Sequence, residues 1–327
     1  MANLIDNSKI EYTVKHEAGW FIKSMKKAKT LEKDYLRVIP NVTKEVLLKK
    51  AVIANNTISQ VDNRDCEWTP SQRINLDSKT FSVQNFKINE EQCMNELDNI
   101  YSENVFNGMG GEAGANKTAM PNADGLEDTL MLMIQNALAG DIDRIIWGGE
   151  GNEVDGIQNG LIDKALASRE TIKVANAITI DTSNVLTEIQ RVYDSIPDEV
   201  INEGEFDPEK APVRIFVDLK TYRYAKQALS SVPTERQVVL PSWTFDNGVI
   251  RYMGVEVALI SYLPSNTMIA ASRDNLFFAT DLLADTQSIK AERGNSLKDE
   301  NMWYVKGQYR AESFFLFDDE VVVYSKK

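Results

Sequence analysis

One histidine, His16, and two cysteines, Cys66 and Cys93, are all that this 327-residue chain holds of the commonest general bases, thiolate nucleophiles and soft metal ligands. Two cysteines exclude a disulfide framework and a zinc site built from four cysteines of one chain. A single histidine, set in the polar stretch "YTVKHEAGW", reads as a surface residue and leaves poor ground for acid–base or nucleophilic catalysis. No apolar run reaches the roughly 18 residues that cross a bilayer as a helix. The opening residues "MANLIDNSKIEYTVKHEAGW" lack the basic-then-apolar layout of a secretory signal, so synthesis in the cytoplasm is expected.

Positive charge is scarce overall, with a formal net charge of −13, and it is unevenly placed. Residues 1–50 carry 11 Lys+Arg against 6 Asp+Glu, while residues 51–327 carry 25 against 43. A basic arm on an acidic body is expected to embrace an acidic surface, a neighbouring copy or nucleic acid; a solvated helix is the plainer alternative. Deleting residues 1–40 is then expected to leave a folded body.

The chain is long enough for one large domain or two smaller ones, and 43% hydrophobic residues suffice for a sizeable core. Residues 1–40 read as a lysine-rich arm ending at Pro40, and "TKEVLLKKAVIANN" (43–56) as a helix capped by Thr43. Residues 57–89 read as a long hairpin, with Asp77 and Ser78 at a turn and Phe81, Val83, Phe86 and Ile88 alternating with a one-residue slip. Such a hairpin has too few apolar residues to order by itself and should lie on another surface. "EEQCMNELDNIY" (90–101) reads as a helix. The clearest helix is 123–147, with Leu126, Leu130, Met133, Ile134, Ala137, Leu138, Ile142 and Ile145 on one stripe and Asp124 with Glu127 forming a capping box. Helices are also expected at 182–196 and 219–229, a buried strand at 213–218, and mostly strands after 245. The parts interleave, with no internal repeat, which is an α+β arrangement.

Two decoys need weighing. In "NGMGGEAGANKTAM" (107–120), Gly111, Asn116, Lys117 and Thr118 fall one residue short of the phosphate-loop pattern G-x-x-x-x-G-K-[ST]. The glycine before the lysine is Asn116, no buried strand precedes the loop, and Pro121 interrupts any helix after it. The looser Gly108, Gly110, Ala113 match to a dinucleotide fingerprint fails the same strand–turn–helix test. Asp141, Asp143, Glu150, Glu153, Asp155 and Asp163 crowd "DIDRIIWGGEGNEVDGIQNGLID", yet no frame supplies a calcium loop, so they read as a solvated turn. No metal or cofactor is expected.

The order of elements, with three motifs, carries a resemblance. "CEWTPSQRINLDSKTFSVQNFKINEEQC" resembles the extended hairpin bracketed by two cysteines in capsid proteins of crAss-like and other Bacteroidetes phages. "IDRIIWGGEGNEVDGIQNGL" resembles the end of their long helix, and "PSNTMIAASRDNLFFATDLLAD" (264–285) their late strand pair. Over roughly residues 57–327 the chain looks like the major capsid protein of tailed double-stranded DNA bacteriophages, with the Hong Kong 97-type fold.

The resemblance implies an α+β Hong Kong 97-type fold: an N-terminal arm (1–56), an extended loop (57–89), a peripheral domain (90–149 and 286–327) with spine helix 123–147, and an axial domain (150–285). It implies no catalysis. Copies would assemble as hexamers and pentamers into an icosahedral shell around double-stranded DNA. Scaffolding, portal and decoration proteins would be further partners, without a membrane. Across the subunit boundary the extended loop would use Trp68, Ile74, Leu76, Phe81, Val83 and Phe86. Lys79 lies in that loop, but no asparagine or glutamate partner for a capsid crosslink is identifiable. The rival readings are an encapsulin-like compartment and a phosphate-loop nucleotide-binding enzyme. On the capsid reading, the glycine-rich stretch is a bendable connection. The wild-type chain should then show no ATP binding by calorimetry, and Lys117→Ala should leave particle assembly intact; micromolar affinity lost in that variant would overturn this.

Overall fold

Three largely apolar runs, Val213–Asp218, Thr267–Ser272 and Val322–Ser325, become strands packed on both faces. The computed structural model describes residues 28–53, 74–93, 126–148, 160–202, 213–230, 242–246, 248–281, 290–293 and 302–326. In chain order the strands are β1 Arg37–Ile39, β2 Glu45–Ile53, β3 Ile74–Ser82, β4 Gln84–Cys93, β5 Ile172–Lys173, β6 Val213–Asp218, β7 Trp243–Asp246, β8 Val249–Tyr252, β9 Val255–Ile260, β10 Thr267–Ser272, β11 Leu276–Thr280, β12 Lys290–Arg293, β13 Met302–Phe315 and β14 Val322–Ser325. The helices are α1 Lys29–Glu32, α2 Leu126–Trp147, α3 Leu161–Ala167, α4 Val185–Asp194, α5 Asp198–Asn202 and α6 Leu219–Ser230.

Seven strands form one sheet in the order β5-β14-β10-β6-β9-β8-β7. Successive residues of its central strands enter different cores. Ile215, Val217, Met268, Ala270, Val322 and Tyr324 face α4 and α6. Phe216, Ile269, Ala271, Val321 and Val323 join the end of α2, α3 and the second sheet. That second sheet runs β1-β11-β13-β12, with β4 on the other side of β13. The expected boundary near residue 286 cuts across these sheets: β11 belongs with β13, and β14 with the seven strands.

Helix α2 matches the helix expected at 123–147 from Leu126 onward. At about 1.5 Å per residue its 22 residues span about 33 Å. Leu138, Ile142 and Ile145 are buried as the stripe requires, but Ala137 is exposed. Asp124 and its cap lie outside the described residues. The glycine turn after α2 has a steric reason. Gly148 has φ +62°, and a Cβ on Gly160 would overlap the Gly148 backbone.

The expected arm is corrected over residues 28–53. Ala28, Thr30, Tyr35 and Leu36 are buried in the main core, and β1 pairs in parallel with β11. The Asp143 carboxylate accepts from the backbone N–H groups of Lys29 (3.0 Å) and Thr30 (3.2 Å), satisfying two donors that open α1. Trp147 Nε1 donates to Thr30 Oγ1 at 2.9 Å. Deleting residues 1–40 therefore removes core, and the expectation of an intact body is withdrawn. The helix expected at 43–56 is strand β2, because residues 45–53 find nine partners in β3. Likewise residues 90–93 of an expected helix are the end of β4, paired with β13; residues 94–101 lie outside the described residues. The helices α4 and α6 and the strands after 245 match their expected places.

Behind β13, Lys164 of α3 pairs with Glu312 and also donates to the Ser313 carbonyl. Burial pushes the Lys164 ammonium down and the Glu312 carboxyl up, each opposed by the other's charge. Removing one partner strands the other. Lys164→Met should cost about 3 kcal/mol at pH 7 in denaturant unfolding, and Lys164→Met with Glu312→Leu much less. In the single variant Glu312 binds its proton more tightly folded than unfolded. Stability must therefore fall as pH rises through and above the ordinary carboxylate range, and the deficit should shrink on acidification. A deficit independent of pH would contradict this.

Candidate functional site

The ribbon β2–β3 is the part of the described chain that binds the body along one face only. Its register is unbroken from Glu45 opposite Ser82 to Ile53 opposite Ile74. In antiparallel strands, residues directly opposite share a face and neighbours alternate. One face carries Val46 with Phe81 and Leu48 with Lys79, and it meets the body. Phe81 stacks on Phe314 with ring centroids 3.9 Å apart, and Phe314 stacks on Phe277 at 5.5 Å. Val42, Ala279, Val46, Leu48 and Val83 complete this cluster.

Two lysines of the same face reach an acidic corner after β13. Lys79 Nζ donates to Asp318 Oδ1 at 2.7 Å and Oδ2 at 3.0 Å, and to the Phe315 carbonyl at 3.3 Å. Lys50 Nζ lies 3.6 Å from Asp319 Oδ1 and 4.8 Å from the centre of the Phe317 ring. These half-exposed pairs contribute about 0.2–1 kcal/mol each, so they orient the ribbon more than they hold it. They also show basic residues near the N-terminus meeting acids of their own chain; Arg37 does so with Asp274 at 2.6 Å.

The other face is open at its base. Glu45, Leu47, Lys49, Ser78, Thr80 and Ser82 are exposed, with Leu47 at 56%. Further out, the same register parity includes Ala51 opposite Leu76 and Ile53 opposite Ile74.

The six expected contact residues fall into three groups. Phe81, Val83 and Phe86 pack within their own subunit; Phe86 meets Tyr309 at 5.2 Å. All three remain partly exposed on the lone subunit, and alternation turns Phe81 toward Phe314. Ile74 and Leu76 pair with Ile53 and Ala51 in the backbone ladder of the ribbon. Trp68 lies outside the described residues. The expected turn at Asp77 and Ser78 is also corrected. Both sit mid-strand, opposite Lys50 and Lys49. The one-residue slip at Val83 has a cause: there the chain leaves β2 and takes β13 as its partner.

Leu47, Lys50, Asp318 and Asp319 went unnoticed in the sequence. The run "EVLLKKAVI" has no period-two alternation to mark it as a strand, and it fits a helix as well. Among the crowded acids, Asp143 is a buried cap and Asp141 pairs with Arg144 at 3.2 Å. Among the described residues no group of three His, Cys, Asp or Glu could hold a metal, and no helix is long and apolar enough to cross a membrane. The glycine-rich 107–120 stretch lies outside the described residues.

No family model matches the sequence, and no curated protein matches it. Solved structures do match in shape. The capsid of cyanophage A-1(L) superposes with a TM-score of 0.54 at 12% identity, covering 99% of this chain and 97% of that one. The satellite phage P4 procapsid, including its size determination protein, gives 0.53 at 10% identity, covering 94% and 98%. The capsid of Myoviridae phage XM1 gives 0.50 at 13% identity, covering 91% and 92%. The chain has the mixed helix-and-strand Hong Kong 97-type fold.

The two ribbon faces differ in a measurable way. Phe81→Ala should lower the stability of the unassembled protein by about 3 kcal/mol, since a stacked ring is lost. Leu47→Ser should change it by less than about 0.5 kcal/mol. Urea unfolding of both variants decides the point; equal effects would mean that the open face is packed on its own subunit.

Proposed function

We propose that this chain is a major capsid protein, building an icosahedral shell from hexamers and pentamers around double-stranded DNA. The observation that supports it most is the ribbon. One face is fixed to its own subunit, and the other runs outward with Leu47 exposed and Ile53, Ile74, Leu76 and Ala51 in register beyond it. A two-stranded ribbon is marginal in water, so that outer face is best satisfied by a neighbouring subunit. The fold likeness over nearly the whole length to three phage capsids is consistent with this.

On this reading α2 and the sheet around β13 form the peripheral part, and the seven-stranded sheet with α4 and α6 forms the axial part. The role is structural and without catalysis. The protein would reside in the virion capsid, after assembly in the host cytoplasm. Scaffolding, portal and decoration proteins would be its other partners. The link to crAss-like phages rests on the sequence motifs around Cys66, Trp147 and Asn275.

Purified protein, or its source particle, viewed by negative-stain microscopy should show closed shells or capsomers. Leu47→Asp combined with Leu76→Asp should abolish them while moving the melting temperature by no more than a few degrees. Shells enclosing protein cargo and no nucleic acid would assign an encapsulin-like compartment. A wild-type protein that stays monomeric under all assembly conditions would overturn the shell reading.

A further inference from the structure

Resting on the reading of a shell around DNA, we propose that the outer face of α6 is a contact for the phosphate backbone of nucleic acid. Helix α6, "LKTYRYAKQALS", holds three cations, Lys220, Arg223 and Lys226, and no acid. Its inner face, Thr221, Ala225 and Ala228, is buried toward β6, β9 and α4. The three cations share the exposed face at intervals of three residues. Among the described residues no ion pair or hydrogen bond occupies their charged groups.

Aromatic rings sit beside two of them. Lys220 Nζ lies 5.8 Å from the centre of the Tyr224 ring, and Lys226 Nζ lies 5.7 Å from that of Phe245. Phe245, at the edge of the seven-stranded sheet, is itself 51% exposed. On a chain of net charge −13, a positive stripe with no charged partner among the described residues is a local exception to the field.

The geometry favours phosphates over another protein. Lys220 to Lys226 covers about 9 Å of helix axis. Three successive phosphates of one DNA strand cover roughly 7 Å along the duplex. Long side chains absorb the difference. A neighbouring copy would have to present acids alone over that length, whereas a duplex presents phosphates at every step. The acidic corner Asp318–Asp319 is engaged by the ribbon lysines of its own chain. An acidic body repels DNA elsewhere, so contact is confined to the stripe without base readout.

The test measures binding of unassembled full-length protein to a short labelled random-sequence DNA duplex across a salt titration. The wild type should bind at low salt. K220Q/R223Q/K226Q should lower the slope of log affinity against log salt by about 2.7, and Arg223→Gln alone by about 0.9. A control with the same charge change at other exposed lysines, K49Q/K87Q/K306Q, should lower it far less. Circular dichroism melting of every variant establishes folding, and the single Arg223 variant serves if the triple one does not fold. Equal losses in stripe and control variants would overturn the proposal, as would no loss in either or no binding by the wild type. If the stripe variant binds DNA normally but fails to form particles, the stripe is a contact between copies and the proposal is wrong. Shell formation by the wild type is scored separately, so this inference can fail while the capsid reading stands.

Discussion

The pairing of β13 on both of its sides is the constraint on which the other elements depend. Its fourteen residues hold β4 along Met302–Ala311 on one side. On the other they hold β12 at Trp303–Lys306 and β11 at Ala311–Phe315. Beneath it, the Ser313 hydroxyl donates to the Ile146 carbonyl at 2.8 Å, tying the end of α2 to the strand. Its last residues also supply Phe314, on which the ribbon stacks. A change that unpaired β13 would release α2, the ribbon and the edge strands together. Backbone groups left in that core would lose their partners, at about 1–3 kcal/mol each.

The second consequence is a division of labour between faces. The seven-stranded sheet is covered on both sides, so its central strands are mostly apolar, with the Arg214–Glu256 ion pair bridging β6 and β9 as an exception. The ribbon is covered on one side, so its residues alternate between packing and availability. Phe81 and Leu47 lie on neighbouring strands of one ribbon, yet one is stacked on a ring and the other is exposed. Function in a shell would fall to the second class. The two faces of α6 divide in the same way, with Ala225 and Ala228 buried and Lys220, Arg223 and Lys226 outside.

Electrostatics follows local geometry more than the totals suggest. The excess of lysine near the N-terminus reads as an arm for a partner, but Lys50 and Arg37 find acids in the same chain. Those acids lie far along the sequence, at Asp319 and Asp274, and only folding brings them near. Asp143 is another case. Burial raises its carboxyl above the usual range, while two backbone N–H groups oppose that shift, and the result is a cap for a helix more than a hundred residues away.

What the sequence determined by itself was whatever depends on local period and composition. Leu138, Ile142 and Ile145 repeat at helical spacing, so α2 was legible. The run "VRIFVD" was legible as a buried strand, and the later runs at β10 and β14 as strands. The slip at Val83 was visible too, but its meaning was not, because a slip in alternation does not name the new partner. Tertiary structure alone decided that "EVLLKKAVI" is a strand, since propensity there is evenly balanced and nine backbone pairs to β3 outweigh it. It alone decided that Phe81 stacks on Phe314 and that Phe86 meets Tyr309 within the same chain. Alternation separates two faces of a strand, but only the position of Phe314, more than two hundred residues away, says which face is inside.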